Sequence, residues 1–447
     1  MRSLRAALVL AASWASVSLA APPPTPLPQP SRSENTYRQL ELFARVLSYV
    51  QNNYVETVDE QQLVHGAIKG MLDTLDPHTV FMPPDLFKEM KIDTAGEFGG
   101  IGLEVTRRND NVVVVAAVDD TPSQRAGIKT GDLLLKIDDE PTRNMELTRV
   151  KQKMRGPAGK KVLLTIMREG FTAPREFAII RDHIRTQSVE SALYGGIGHV
   201  KVKNFQERTD ASLFKELEKL RAANNGRELR GLVIDLRNNP GGLLDQAVAM
   251  SDRFLAGNLT IVTTRGRNGT QVTEEKAKDR DTEKPYPIVV LVNAGSASAS
   301  EIVAGALQDH RRAVVLGVPT FGKGSVQTII EMEDGSGLKL TIARYFTPSG
   351  RSIQEKGILP DFVVGESEDD KVAQKTEQVR EKDLKRHFKG EGEVSDPSQV
   401  KVNLPENLKS WEVTDKLSDY QLKVALNYLN SASLGTPGRN TARAPTP

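Results

Sequence analysis

Three stretches in the second half of this sequence carry residue types from which covalent catalysis can be built. In Val233-Ile234-Asp235-Leu236-Arg237-Asn238-Asn239-Pro240-Gly241-Gly242 and in Val290-Leu291-Val292-Asn293-Ala294-Gly295-Ser296-Ala297-Ser298-Ala299-Ser300-Glu301, a strand ends in small residues just before a helix. Small residues let a substrate approach the backbone, and a fresh helix N-terminus presents unpaired N–H donors. Such donors can hold a developing oxyanion, and a serine at such a turn can attack a carbonyl. The third stretch, Pro319-Thr320-Phe321-Gly322-Lys323-Gly324-Ser325-Val326-Gln327, sets a lysine between two glycines beside an aromatic ring. A solvated lysine keeps its proton up to about pH 10.4. Packing its stem against apolar groups such as Phe321 lowers that value, and a neutral amine can take the proton of a serine hydroxyl. If Lys323–Gln327 is extended, Lys323, Ser325 and Gln327 share one face, and Gln327 is placed to orient the amine.

Two plainer readings compete. Ser298-Ala299-Ser300-Glu301 fits a capping box, with Ser298 as the cap and Glu301 reaching back. On spacing alone capping outranks catalysis, because caps are far commoner than nucleophiles. Lys323 in a glycine loop also suggests phosphate binding, but the G-x-x-x-x-G-K-[ST] spacing is missing.

Composition narrows the chemistry. The chain has 447 residues, enough for two to four folded units. Sixty basic residues against 58 acidic ones leave a net charge of +2, which disfavours a protein built to grip nucleic acid. There is no cysteine, so thiol nucleophiles, disulfides, thiolate zinc sites and iron–sulfur clusters are excluded. The six histidines form no H-E-x-x-H pair. No metal, nucleotide or other cofactor is expected.

The elements that must position these residues follow from periodicity. Residues 1–20 read as a signal peptide: Arg2 and Arg5, an apolar run from Ala6, and a small-residue site ending at Ala20. This predicts export, most simply to a periplasm, with inner-membrane association if the signal stays uncleaved. Residues 21–36 form a Pro-rich tether. From 37 to 94 the pattern is helical: Leu40, Phe43, Leu47, Val50 and Tyr54 make one apolar stripe, and Gln61–Leu75 a second helix. The stripe suits core packing or, less commonly, pairing with a second copy in a homodimer. Residues 95–183 are α+β, opening on Gly99-Gly100-Ile101-Gly102. Residues 184–365 alternate strands and helices, an α/β core with both faces of its sheet covered. Residues 366–447 begin charge-rich, read as solvated or partly helical, and include a final helix near Tyr420–Leu429.

With these blocks in place, the sequence from about Tyr37 to Val364 resembles the carboxyl-terminal processing peptidases, or tail-specific proteases. The likeness rests on Leu75-Asp76-Pro77-His78, Gly99 through Gly102, Asp235 through Gly242, Gly295 through Ile302, Phe321 through Gln327 and Tyr345 through Pro360. The resemblance implies a Ser/Lys serine endopeptidase with a Clp protease/crotonase-like core and an inserted PDZ domain. It implies Ser298 as nucleophile, Lys323 as general base with Gln327 as its orienting partner, and the N–H groups of Ala299 and of Gly242 or Gly241 as oxyanion donors. It gives Asp235, Arg237 and Glu301 a supporting role, and His78 no place in the catalytic pair. Gly99, Gly100, Ile101 and Gly102 become a loop turning N–H groups toward a chain-terminal carboxylate, beside a strand edge that pairs with the peptide. The expected substrates are proteins or peptides with free C-termini. The alternatives are a non-proteolytic ligand- or tail-binding protein on the same fold, and a crotonase-type hydratase for which no coenzyme A site can be assigned.

Overall fold

The computed structural model describes residues 32–269, 271–278, 281–367, 379–391 and 411–434. The expected signal segment and the last residues of the chain lie outside these. The chain divides into one unit up to Gly66 and another from Ala67. In the first, a helix over Arg32–Asn53 begins before Tyr37 and leaves Tyr37, Leu40 and Phe43 exposed, with Tyr54 exposed just beyond it. A helix over Glu60–Leu72 runs across the division. No helix among the described residues is long and apolar enough to cross a membrane.

The second unit is built on a six-stranded sheet. Its order is Val189–Tyr194, Ile197–Val202, Gly231–Asp235, Ile288–Val292, Val314–Gly317 and Phe362–Val363; the first pair is antiparallel and the rest are parallel. Every residue of Gly231–Asp235 and Ile288–Val292 is buried, the reason these strands read as unbroken apolar runs. On one face, Leu232, Ile234, Val290 and Val292 pack with residues of the helices Thr209–Ala223, Leu244–Asp252 and Ala299–Asp309. On the other, Val233, Val289, Leu291 and Leu316 pack with Leu422, Leu426 and Leu429 of the final helix, Tyr420–Leu434.

A second sheet was not anticipated by the periodicity. It runs Val80–Met82, Gly337–Phe346, Thr260–Arg265, Gln271–Lys276, with Ser325–Glu331 paired to Gly337–Phe346. Its strands mix Lys, Thr and Arg with apolar residues and stay partly exposed, so they lack the contrast that marks a buried strand. The inserted α+β region forms its own antiparallel sheet, Leu103–Arg108, Asn111–Ala117, Leu133–Ile137, Lys161–Met167 and Arg175–Ile180, around Val112, Val114, Leu134, Ile137, Leu164 and Ile166.

The charge-rich segment, read as solvated or partly helical, leaves Lys382, Asp383, Lys385, Arg386 and Lys389 exposed but buries Glu381. Part of it, Val379 to Glu391, packs into the fold, with Glu381 in a short 3-10 turn over Glu381–Asp383. Its composition hides that burial because the partners that satisfy the Glu381 carboxylate lie far away in sequence.

Candidate active site

The strand Gly231–Asp235 delivers a turn whose centre is Asn239, a fully buried side chain. Asn239 Nδ2 donates to Val202 O (2.8 Å), its Oδ1 accepts the Gly241 N–H (2.9 Å), and its carbonyl accepts the Ala297 N–H (3.0 Å) and the Ser300 hydroxyl (2.9 Å). One asparagine thus fastens the glycine turn to the serine turn. Gly241 must be glycine: at φ +100°, a Cβ would come within 2.7 Å of Ala297 O and 2.8 Å of Ser298 Cβ.

The three serines separate by environment. Ser296 is fully buried and donates to Leu236 O (2.8 Å); Ser300 is fully buried and bonded to Asn239. Ser298 is only half-buried, and it precedes the helix Ala299–Asp309. Ser298 and Glu301 form a capping box, whose return bond runs from Ser298 N–H to Glu301 Oε2 at 2.8 Å. Ser298 also sits at φ 55°, ψ −113°, a strained backbone for a residue with a Cβ, costing about 1–3 kcal/mol. Capping alone does not need that strain.

Glu301 joins the serine to the lysine. It is fully buried, and besides Ser298 it accepts the Thr320 hydroxyl (2.5 Å) and the N–H groups of Gly322 (2.7 Å) and Lys323 (2.9 Å). Burial pushes its carboxyl up to about 7 against the pull of these four donors. Lys323 is largely buried, and among the described residues its amine has no hydrogen bond or ion pair. Burial brings its pKa down to about 8, helped by the nearby charge of Lys339 and opposed by Glu381, Glu301 and Asp76. Phe321 lines the same cavity, but the second cation, Lys339, is the cause that sequence reasoning missed.

A cavity of about 580 Å³ brings the three stretches together: its walls include Pro240, Ala297, Phe321 and Lys323, with Val379 from the charge-rich segment. At its edge, a Cβ built on Gly241 would lie 3.0 Å from the Ala299 nitrogen. Gly241's own N–H is taken by Asn239, whereas among the described residues no hydrogen bond takes that of Gly242, which is exposed. The third stretch, read like the other two as a strand ending in small residues just before a helix, departs from expectation in two ways. No helix follows it; Lys323 lies in a loop between the strands Val314–Gly317 and Ser325–Glu331. A register shift between Val326 and Gln327 breaks the simple alternation, and Gln327 Nε2 donates to Ser325 Oγ (2.9 Å) and Thr341 Oγ1 (3.4 Å), with no bond to the Lys323 amine. Asp235 and Arg237 serve the scaffold. Arg237 pairs with Asp235 (2.7 Å) and Asp419 (2.6 Å), tying the sheet to the turn before the final helix and holding the Asp235 carboxyl below its usual range.

Comparison with known proteins decides the family. Residues 196–364 match peptidase family S41, residues 113–168 a PDZ domain, and residues 13–85 the N-terminal domain of the activating protease CtpB. A carboxy-terminal-processing protease of Bartonella bacilliformis is 43% identical over 379 residues, covering 85% of this chain and 87% of that protein. The carboxy-terminal processing protease CtpA of Bacillus subtilis is 35% identical, covering 70% of this chain and 66% of that one. The photosystem II D1 C-terminal processing protease is a solved structure with 30% identity and a TM-score of 0.44, covering 74% and 88% of the two chains. The chain belongs to the S41 carboxy-terminal-processing proteases. It is a serine-type peptidase with a PDZ domain.

The S41 peptidase's PDZ region contains a groove of about 350 Å³, lined among others by Gly100, Ile101, Gly102, Lys151, Met154 and Arg155. The carbonyls of Ile101 and Gly102 are occupied, by Ser123 N–H (2.9 Å) and by Val118 N–H (2.9 Å) and Ser123 Oγ (2.7 Å). No hydrogen bond among the described residues takes their N–H groups. Beside them, Leu103–Arg108 is an edge strand of the sheet. Gly99 and Gly100 depart from the expected loop, since both belong to the strand Glu97–Gly100 and pair with His183 and Asp182. Gly99 faces Gly156, whose carbonyl a Cβ would meet at 2.1 Å.

Proposed function

We propose that this peptidase is exported, captures the free C-terminal tails of proteins in its PDZ groove, and cleaves them with a Ser298/Lys323 dyad. Ser298 Oγ attacks the scissile carbonyl while its proton passes to the neutral Lys323 amine. The N–H groups of Ala299 and Gly242 receive the oxyanion. The ammonium of Lys323 returns the proton to the departing amine, leaving an ester on Ser298. Lys323 then takes a proton from water, whose hydroxide oxygen attacks the ester, and collapse releases the carboxylic acid while the Lys323 ammonium returns its proton to the departing Ser298 oxygen. Gln327, which donates to Ser325 Oγ just beyond the lysine loop, takes the orienting role beside Lys323. In the groove, the N–H groups of Ile101 and Gly102 face the tail carboxylate, and the edge strand pairs with the tail. Domain limits near 95–183 and 184–365, and pairing through the N-terminal helix, belong to the same reading.

One observation carries the dyad: of the three serines at the turn, Ser298 alone is not fully buried, and it sits on a strained backbone that Glu301 ties to the loop of Lys323. The test is mass analysis of a tailed protein incubated with the mature chain and with Ser298→Ala. Cleavage should vanish in the variant while tail binding persists; turnover by the variant removes Ser298 from the mechanism.

A further inference from the structure

The loop that carries Lys323 is gripped from two sides. Glu301 holds one side. On the other stands the segment after the peptidase core, 379–391. There Arg380 Nε donates to Thr320 O (3.0 Å) and Glu381 N–H to Phe321 O (3.1 Å). The Glu381 carboxylate receives His78 Nε2 (2.8 Å) on Oε2 and Gln354 Nε2 (2.9 Å) on Oε1. Gln354, fully buried, turns its own Oε1 to the Gly324 N–H (3.0 Å). Gly324 is the residue after Lys323, so Glu381 reaches the loop both through its own backbone and through Gln354.

We infer that Glu381 is a positioning residue of the active site: it braces the lysine loop from beyond the core and supplies a carboxylate for the cation that forms on Lys323. A base that is neutral at rest and charged in the acylation step gains from a fixed negative charge, provided that charge is not hydrogen-bonded to the amine itself. Glu381 meets this condition. It acts on Lys323 across space while its oxygens are committed to His78 and Gln354. The other charges facing Lys323 are Lys339, Glu301 and Asp76. Those facing Glu381 are His78, in contact, and His387, from its own segment. The assignment also gives a role to His78, which the family likeness left without one, and to a segment whose composition suggested none.

The inference rests on Lys323 being the base, and the test separates the two. Glu381→Gln keeps the shape and removes the charge. Its kcat should fall about tenfold with KM unchanged, and the acid limb of the kcat profile should move to lower pH, since Lys323 loses a neighbouring negative charge. A merely structural role would not move that limb. Glu381→Asp, which keeps the charge on a shorter arm, should lose rate but leave the limb in place. Should Glu381→Gln not fold, Gln354→Met carries the test. It cuts the strut to Gly324, and kcat should fall several-fold at constant KM. A folded Glu381→Gln with the parental limb and rate, or a Gln354→Met with parental kcat, overturns the inference while Ser298→Ala stays inactive. A cleaving Ser298→Ala overturns the dyad and this inference together.

Discussion

Around Ser298 and Lys323 the polar groups that build the turn are buried and engaged: Asn239 makes five hydrogen bonds and Glu301 accepts four. The PDZ groove is built the other way. Its carbonyls are anchored, but among the described residues no hydrogen bond takes the N–H groups of Ile101 and Gly102, Lys151 is exposed, and Leu103–Arg108 is an edge strand. Arg155 rests its guanidinium 4.6 Å from the Phe98 ring centre. Under the proposed function, the contrast puts rigidity where each task needs it. A nucleophile and base work only if held to a fraction of an ångström, so their supports are buried hydrogen bonds that are costly to break. A tail-binding groove must accept many chains, so it offers backbone donors and solvated charge.

The strongest way to break this contrast is at the lysine. Lys323→Arg should lose at least about a thousandfold in kcat, because a guanidinium stays protonated and cannot act as base. In the parent, with the Lys323 pKa brought down to about 8, activity should rise with pH through about 8 as the amine becomes neutral. A profile flat from pH 6 to 9 would contradict it. Glu301→Gln comes next. It turns an acceptor of four bonds into a group with an NH2 aimed at donors, and should cost about 10- to 100-fold in kcat and about 2 kcal/mol in stability, read by urea titration. Parental values for both would show that the clamp is dispensable.

At the groove, smaller effects are expected. Amidating a substrate's C-terminus removes one charge-assisted contact and should lower kcat/KM about tenfold through KM, with kcat kept; equal cleavage of both tails would contradict carboxylate capture. The smallest effect is on stability. Burial lowers the Lys323 pKa, so its ammonium is disfavoured by folding at neutral pH, and that cost fades as pH rises through about 8 toward the unfolded value. Lys323→Met should therefore be inactive yet more stable at pH 7, by about 1–3 kcal/mol, with the gain shrinking at pH 10. A Met variant less stable at pH 7 would mean that packing, not charge, dominates there.

Legibility differed from element to element. The strands Gly231–Asp235 and Ile288–Val292 were plain as apolar runs, and the final helix Tyr420–Leu434 contains its predicted span. The exposed-edged second sheet was not seen, although its strand Ser325–Glu331 follows directly on the lysine loop. Among site residues, Ser298 and Lys323 stood out by motif. Lys339 and Glu381 did not: a lysine in a polar strand and a glutamate in a charged run carry no local mark. His78 was visible within its block but had no partner until Glu381 was found beside it.

The sequence by itself determined the parts that depend on local chemistry. These are the absence of cysteine chemistry, the small residues at the turns, the helix start after Ser298 and a glycine-flanked lysine. Only the tertiary structure decided that Ser298, rather than Ser296 or Ser300, stays partly exposed, and that Gly241 spends its N–H on Asn239. It also decided which charges surround Lys323. The reason is physical: burial and electrostatics depend on distance in space, and Asp76, Glu301, Lys339 and Glu381 are neighbours of that amine only once the chain has folded.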